Sequence, residues 1–226
     1  MFCASTTSIV SGALTERIKL WPFLVYVIIL VVVIYPIQAS WKWGGGFLND
    51  MGFQDFTSST FVHSVSGWAA LTGAIFFSLH LGEYKGGKVN LMPGSNLALA
   101  TLGIFILWLT WFRFTGCSQL YMDTSGRVAD ISRIFSNTNT VAAAGAVAAL
   151  TLTQLLYKKP DLTVILNSAL VGLVSITAEP FTPSLIQSTM IGAVGGIILF
   201  FAVPMLDRMK IDYVVDASSV HIFAGI

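Results

Sequence analysis

Six stretches without a single Asp, Glu, Lys or Arg dominate this chain: residues 20–41, 56–82, 89–112, 134–157, 162–178 and 180–206. A bilayer core about 30 Å thick needs about 20 mostly apolar residues at a helical rise of about 1.5 Å each. Lipid cannot hydrogen-bond a bare backbone, so apolar runs of this length fold as helices. Residues 1–14 read as the end of a further helix and residues 212–226 as the start of one. The sequence therefore predicts an all-α integral membrane protein, a multi-span helical bundle forming a single domain over 1–226, with six full spans between two partial ones.

Composition agrees. Hydrophobic residues make up 55% of the chain, charged residues 10%, and the mean hydropathy is +0.78; soluble proteins carry about 25% charged residues. A net charge of +1 provides no basic surface for nucleic acid. Cys3 and Cys117 are too few for a disulfide framework or a Cys-rich metal site. The twenty glycines suit closely packed membrane helices.

Loop charges predict the orientation. Arg17, Lys19, Lys85, Lys88, Lys158, Lys159, Arg208 and Lys210 fall on one side of alternate connections, against Lys42, Arg127 and Arg133 on the other. The first set is expected in the cytoplasm. The start lacks the basic region of a cleavable signal peptide. Outer connections, such as Trp43-Gly44-Gly45-Gly46 and residues 122–136, are expected to be longer and turn-rich. Inner ones, such as residues 157–161, are expected to be short.

Ionisable groups inside a span are functional candidates by default. His63 is about eight residues into a span entered from outside, and His221 about nine residues into one entered from the cytoplasm. At about 1.5 Å per residue, both lie about 12–14 Å deep. The histidines also share a setting: each follows Val and precedes a Gly by four residues, Gly67 and Gly225. Matched motifs on oppositely directed helices are what an inverted repeat leaves in a sequence. The two imidazoles are expected to meet near the midplane. No third residue of suitable type lies at that depth, so no metal is expected. His80, at a cytoplasmic helix end, fits a structural or solvated role.

Trp111, Phe114 and Ser118 fall at i, i+3 and i+7, one stripe of a helix nearing the outside. With Trp43 and Phe2 they could form an aromatic and hydroxyl mouth, since aromatic faces attract small cations by about 0.5–2 kcal/mol. Singly, each tryptophan fits an interfacial belt better, and only the combination with the histidine pair shifts the balance. Asp55 stands at the outer start of the His63 helix, where a carboxylate caps a helix and complements its dipole. Asp212 and Asp216 suit the same role on the inner side.

Taken together, these residues resemble the ammonium transporter family (Amt/Mep/Rh), on the Amt side. The likeness is carried by Gly12-Ala13-Leu14-Thr15-Glu16-Arg17-Ile18, Trp43-Gly44-Gly45-Gly46, Asp55-Phe56 with Val62-His63, Trp111-Phe112 with Phe114 and Ser118, Asn137-Thr138-Asn139 and Val220-His221. The resemblance implies a homotrimer of eleven-helix subunits in the plasma or inner membrane, each with its own pore. It implies that Trp43, Ser118 and Phe2 recruit ammonium, that Phe2 and Phe114 form a gate, and that His63 and His221 line the pore as a twin-histidine pair. Asp55 and Trp111 would support them. No cofactor is implied; a PII-type cytoplasmic regulator is a compatible partner. Family members begin two helices earlier and continue beyond the tenth, so the chain is expected to be part of a longer protein.

Arg113 stands where the family usually has glycine; at 100° per residue it points about 100–160° from the Phe114–Ser118 stripe. Ala217-Ser218-Ser219 before Val220-His221 is a second departure. Three functions remain open on these residues: a transporter that takes up ammonium and conducts ammonia, an ammonium sensor acting on a cytoplasmic partner, and a non-conducting relic. An enzyme is not expected, because no nucleophile–base–acid set or cofactor motif appears.

Overall fold

The computed structural model describes residues 2–15, 17–77, 84–85, 88–89, 96–208 and 217–225. Glu16, His80, Lys210, Asp212 and Asp216 lie outside them. Helices α1 (Phe2–Leu14), α2 (Leu20–Ser40), α3 (Phe47–Asp50), α4 (residues 59–76), α5 (Leu97–Gly116), α6 (Ser125–Tyr157), α7 (Leu162–Ile176), α8 (Leu185–Arg208) and α9 (Ala217–Gly225) carry nearly all the described structure. The two-residue strands Tyr84–Lys85 and Lys88–Val89 pair antiparallel between α4 and α5.

Four helices among the described residues are long and apolar enough to cross a bilayer: Leu20–Ser40, Leu97–Gln119, Ser125–Tyr157 and Leu185–Leu206. Along α2, Leu20, Trp21, Val25, Ile28 and Val32 are all more than half exposed. Such a contiguous apolar face suits lipid rather than water. The other two expected spans are helical over shorter ranges, α4 and α7.

Several helix ends depart from the charge-free windows because capping sets them. The expected loop over 122–136 is helical from Ser125, where the Thr124 side chain accepts from the Arg127 N–H. Arg127 also pairs with Asp123 at 2.6 Å, one turn back. At 33 residues α6 runs about 50 Å, well beyond a bilayer core, so its charged first turns need not enter lipid. Helix α5 starts at Leu97 rather than residue 89, since Asn96 caps it by accepting from the Leu99 N–H. Helix α8 starts at Leu185 rather than residue 180: Gln187 Oε1 accepts from the Ser184 N–H at 2.8 Å and Ser184 Oγ from the Gln187 N–H at 3.4 Å. That reciprocal pair is a capping box.

The backbone forms two compact units, Met1–Met92 with Val203–Ile226, and Pro93–Ala202. In the first, Val10, Leu14 and Leu30 form a buried cluster with Ile18, Phe23, Tyr26, Ala69 and Phe77 packed on it. Helix α2 widens to a π turn over Leu30–Ile34, just ahead of Pro36. Proline lacks an N–H and its ring crowds the carbonyl four residues back, and a widened turn relieves both. The extra residue re-phases the helix, so Leu30, Tyr35 and Gln38 are all buried although five and three residues separate them.

In the second unit, α6, α7 and α8 meet through glycines. A Cβ at Gly172 or Gly192 would strike the Val141 carbonyl, and one at Gly145 the Ser168 carbonyl. Asn137 Nδ2 donates to the carbonyls of Pro180 and Pro183, at 3.0 and 2.8 Å, tying α6 to the segment before α8.

Candidate functional site

The His63 helix opens with an unusual turn. Ser58 takes a left-handed φ of 75°, and Ser59–Ser64 then form a π turn. Asp55 holds it: Oδ1 accepts from the Ser59 N–H at 2.7 Å, and Oδ2 from those of Thr60 and Phe61 at 3.0 and 3.2 Å. These are the N–H groups a helix start leaves without intrahelical acceptors. Burial pushes the Asp55 carboxyl above the ordinary carboxylate range, and the N–H groups of Phe61, Thr60, Ser59 and Ser58 oppose that rise. Asp55→Ala removes all three acceptor contacts in a site only 1% exposed. It is expected to cost about 2 kcal/mol or more in resistance to unfolding, and Asp55→Asn, which keeps one acceptor oxygen, clearly less. Denaturant titration of the two variants measures the difference; equal losses would assign Asp55 no capping role.

Helix α9 lies antiparallel to this turn. Ser59 Oγ donates to the Ala224 carbonyl at 3.5 Å and Thr60 Oγ1 to the Gly225 carbonyl at 3.3 Å. The two matched glycines pack reciprocally. A Cβ on Gly67 would sit 2.8 Å from the Ile222 nitrogen, and one on Gly225 2.6 Å from the Ser64 nitrogen. Each Val-His-x-x-x-Gly motif thus puts its glycine against the helix carrying the other, and the backbones close to a separation that a side chain would prevent.

At this contact the imidazoles meet. His63 Nδ1 and His221 Nδ1 are 3.1 Å apart, with ring centroids 5.0 Å apart and planes inclined by 12°. His63 is 3% exposed. Two nitrogens at this distance share one hydrogen, so one ring donates and the other accepts.

Phe2 stacks on Trp43 (centroids 5.5 Å, 27°), Trp43 tilts on Phe61 (5.3 Å, 56°), and Phe61 meets Phe53 edge-on (6.0 Å, 81°). The glycines after Trp43 aim its ring. Gly45 has φ of 73°, and a Cβ at Gly44 or Gly46 would lie 2.8 Å from the Ser40 carbonyl oxygen. Phe61, just before the Val62-His63 motif, had no signal in the sequence. Gln38 had one, as a lone amide in an apolar span. Its Nε2 donates to the Phe61 carbonyl at 2.7 Å.

The remaining expected residues belong to the second unit, on α5 and the 3₁₀ turn Cys117–Gln119 that follows it. Trp111 and Phe114 are buried, with ring centroids 5.7 Å apart. Ser118 Oγ donates to the Phe114 carbonyl at 3.1 Å. Thr115 Oγ1 donates to the Trp111 carbonyl at 2.9 Å and accepts from Thr138 Oγ1 at 3.3 Å, which accounts for Thr138 of the Asn-Thr-Asn motif. Arg113 is exposed, away from buried Trp111 and Phe114. Among the described residues no group of three or more His, Cys, Asp or Glu could hold a metal ion.

Comparison with known proteins bears on this site. The profile of the "Ammonium Transporter Family" matches residues 1–226. The chain is 39% identical to a "Putative ammonium transporter" of Synechocystis sp., covering 100% of this chain and 51% of that protein. It is also 39% identical to "Ammonium transporter Amt2" of Archaeoglobus fulgidus, covering 100% and 50%. A solved "Sensor Amt Protein" superposes with a TM-score of 0.93 at 33% identity, over 99% of this chain and 56% of that one. The chain thus spans about half the length of the curated relatives it matches.

Proposed function

Since this chain belongs to the Ammonium Transporter Family, we propose that its protein carries ammonium across a membrane by conducting ammonia past the His63–His221 pair. The observation that carries the proposal is the 3.1 Å contact between the two Nδ1 atoms. Two neutral rings joined there hold opposite tautomers: the ring that donates at Nδ1 has a basic Nε2, and its partner has a protonated one. Ammonia can donate to the first and accept from the second. Ammonium has only donors, and potassium has neither, so the pair suits the neutral molecule. The apolar neighbours Phe61, Val62, Val220 and Ile222 are buried and make charge expensive there.

Trp43, Phe2 and Ser118 are assigned the recruitment of ammonium ahead of that step, Phe2 and Phe114 the gate, and Trp111 a supporting place behind Phe114. In this reading the subunits form a homotrimer, each with its own conduction path, and a PII-type protein is the regulator to test from the cytoplasm. No cofactor enters, and the one bond broken is an N–H of ammonium, whose proton passes to water at the outer end while ammonia takes up a proton from water at the inner end, so no enzymatic role is assigned.

The protein reconstituted in vesicles should give an ammonium-evoked internal pH change or current faster or larger than that of empty vesicles, whose lipid already passes some neutral ammonia, and not evoked by potassium. A folded protein whose vesicles respond like empty ones would end the transport reading. The similarity to a solved "Sensor Amt Protein" favours ammonium sensing as the second reading. Saturable ammonium binding without flux would select it.

A further inference from the structure

We infer that Gln38 is a positioning residue for the imidazole pair: by donating to the Phe61 carbonyl it holds the turn that carries His63 in register with His221. The inference deepens the transport reading and depends on it for its consequence in flux, though not for its geometry.

Gln38 sits on α2, 23 residues before Phe61, is 6% exposed, and makes a bond at the short end of the N–H···O range. It reaches this place because of the π turn at Leu30–Ile34, which brings the last turns of α2 round so that Tyr35 and Gln38 face inward together. The acceptor lies in the second π turn, Ser59–Ser64. Widened turns open the helical ladder enough for a side chain to insert, and they recur at functional sites.

Two anchors of this turn, Asp55 and Gln38, are complementary. Asp55 grips its N–H groups, and Gln38 grips a carbonyl from a different helix. Asp55 holds N–H groups from Ser59 to Phe61, and the Ser59 and Thr60 hydroxyls tie the same start of the turn to α9; none of these bonds takes a carbonyl of the turn, which Gln38 does. Helix side chains reach about 5–6 Å from the axis, so a rotation of about 20° sweeps a ring by about 2 Å. A 3.1 Å contact displaced by that much is no longer a hydrogen bond. The lateral bond from Gln38 opposes such a rotation at the Phe61 carbonyl, two residues before His63, while Asp55 holds the N–H of the same residue.

Gln38→Met keeps the length of the side chain and deletes its donor. In the full protein in lipid, with 15N-labelled histidine, magnetic resonance reads the Nδ1 hydrogen bond directly. The expected result is at least a threefold fall in the hydrogen-bonded Nδ1 population. Ammonium flux should fall at least threefold at saturation. A folded Gln38→Met protein with wild-type imidazole signals overturns the inference. Should Gln38→Met fail to fold, Gln38→Asn retains an amide that is one methylene too short to reach Phe61. The same losses are then expected, and wild-type signals again overturn it. The two readings fail separately. A wild-type protein with coupled imidazoles and no flux ends the transport reading alone, whereas full flux and intact coupling in Gln38→Met end this one alone.

Discussion

Replacing His63 by alanine is expected to lower ammonium flux at least tenfold, and His63→Phe to lower it as far. The alanine variant removes one of two rings whose Nδ1 atoms lie 3.1 Å apart, so His221 loses the partner that sets its tautomer. The basic and the protonated Nε2 no longer occur as a pair, and ammonia is offered at most one of the two bonds it can make. A void also remains, which by itself could admit water or a stray cation. The phenylalanine variant separates these effects, because it fills the space with an apolar ring and supplies no nitrogen. A loss common to both variants belongs to the chemistry of the imidazole, and a potassium leak seen only with alanine belongs to the void. Vesicle flux of ammonium and potassium, measured side by side, decides. Unchanged rate and selectivity in both variants would remove His63 from the mechanism.

The second large effect is structural. Gly192→Leu is expected to prevent folding, and Gly192→Ala to destabilise the protein by about 1–3 kcal/mol, the usual cost of overpacking. A Cβ on Gly192 points at the Val141 carbonyl, and one on Gly196, a turn later, would lie 2.6 Å from the Gly145 carbonyl oxygen. Both obstacles are backbone atoms of α6, which cannot rotate aside as a side chain would. Gly192 and Gly196 form a G-x-x-x-G face, the spacing with which membrane helices approach most closely. Gly103 on α5 is the control, since nothing lies within 4 Å of its Cβ position. There Gly→Ala should be neutral or stabilising by up to about 1 kcal/mol, through helix propensity alone. Detergent or heat unfolding of the two alanine variants gives their order, and the yield of folded Gly192→Leu protein checks the larger effect. Equal losses at Gly192 and Gly103 would mean that the α6–α8 contact contributes little.

Much of this protein was legible before any coordinates. Whether a segment can live in lipid is a local property of about 20 residues, so the helical segments could be read from absent charges alone. The shared Val-His-x-x-x-Gly spacing likewise announced two similar helices, because a spacing of four places residues on one helix face wherever the helix goes. Helix ends were less legible where apolar composition outran the caps: Asn96, Thr124 and the Ser184–Gln187 pair start three helices away from the charge-free windows. Those signals were present, but a hydropathy window weighs many residues equally while a cap is decided by one or two hydrogen bonds.

From its sequence, then, the chain's solvent, its helical character and the residue types of its candidate site were already determined. Tertiary structure alone decided that the histidines touch through Nδ1, that Phe61 joins the aromatic group, and that an amide from α2 reaches the turn between them. The reason is one of length scale. A hydrogen bond is won or lost over about half an ångström, whereas the π turns that set these distances each shift a helix face by a whole residue.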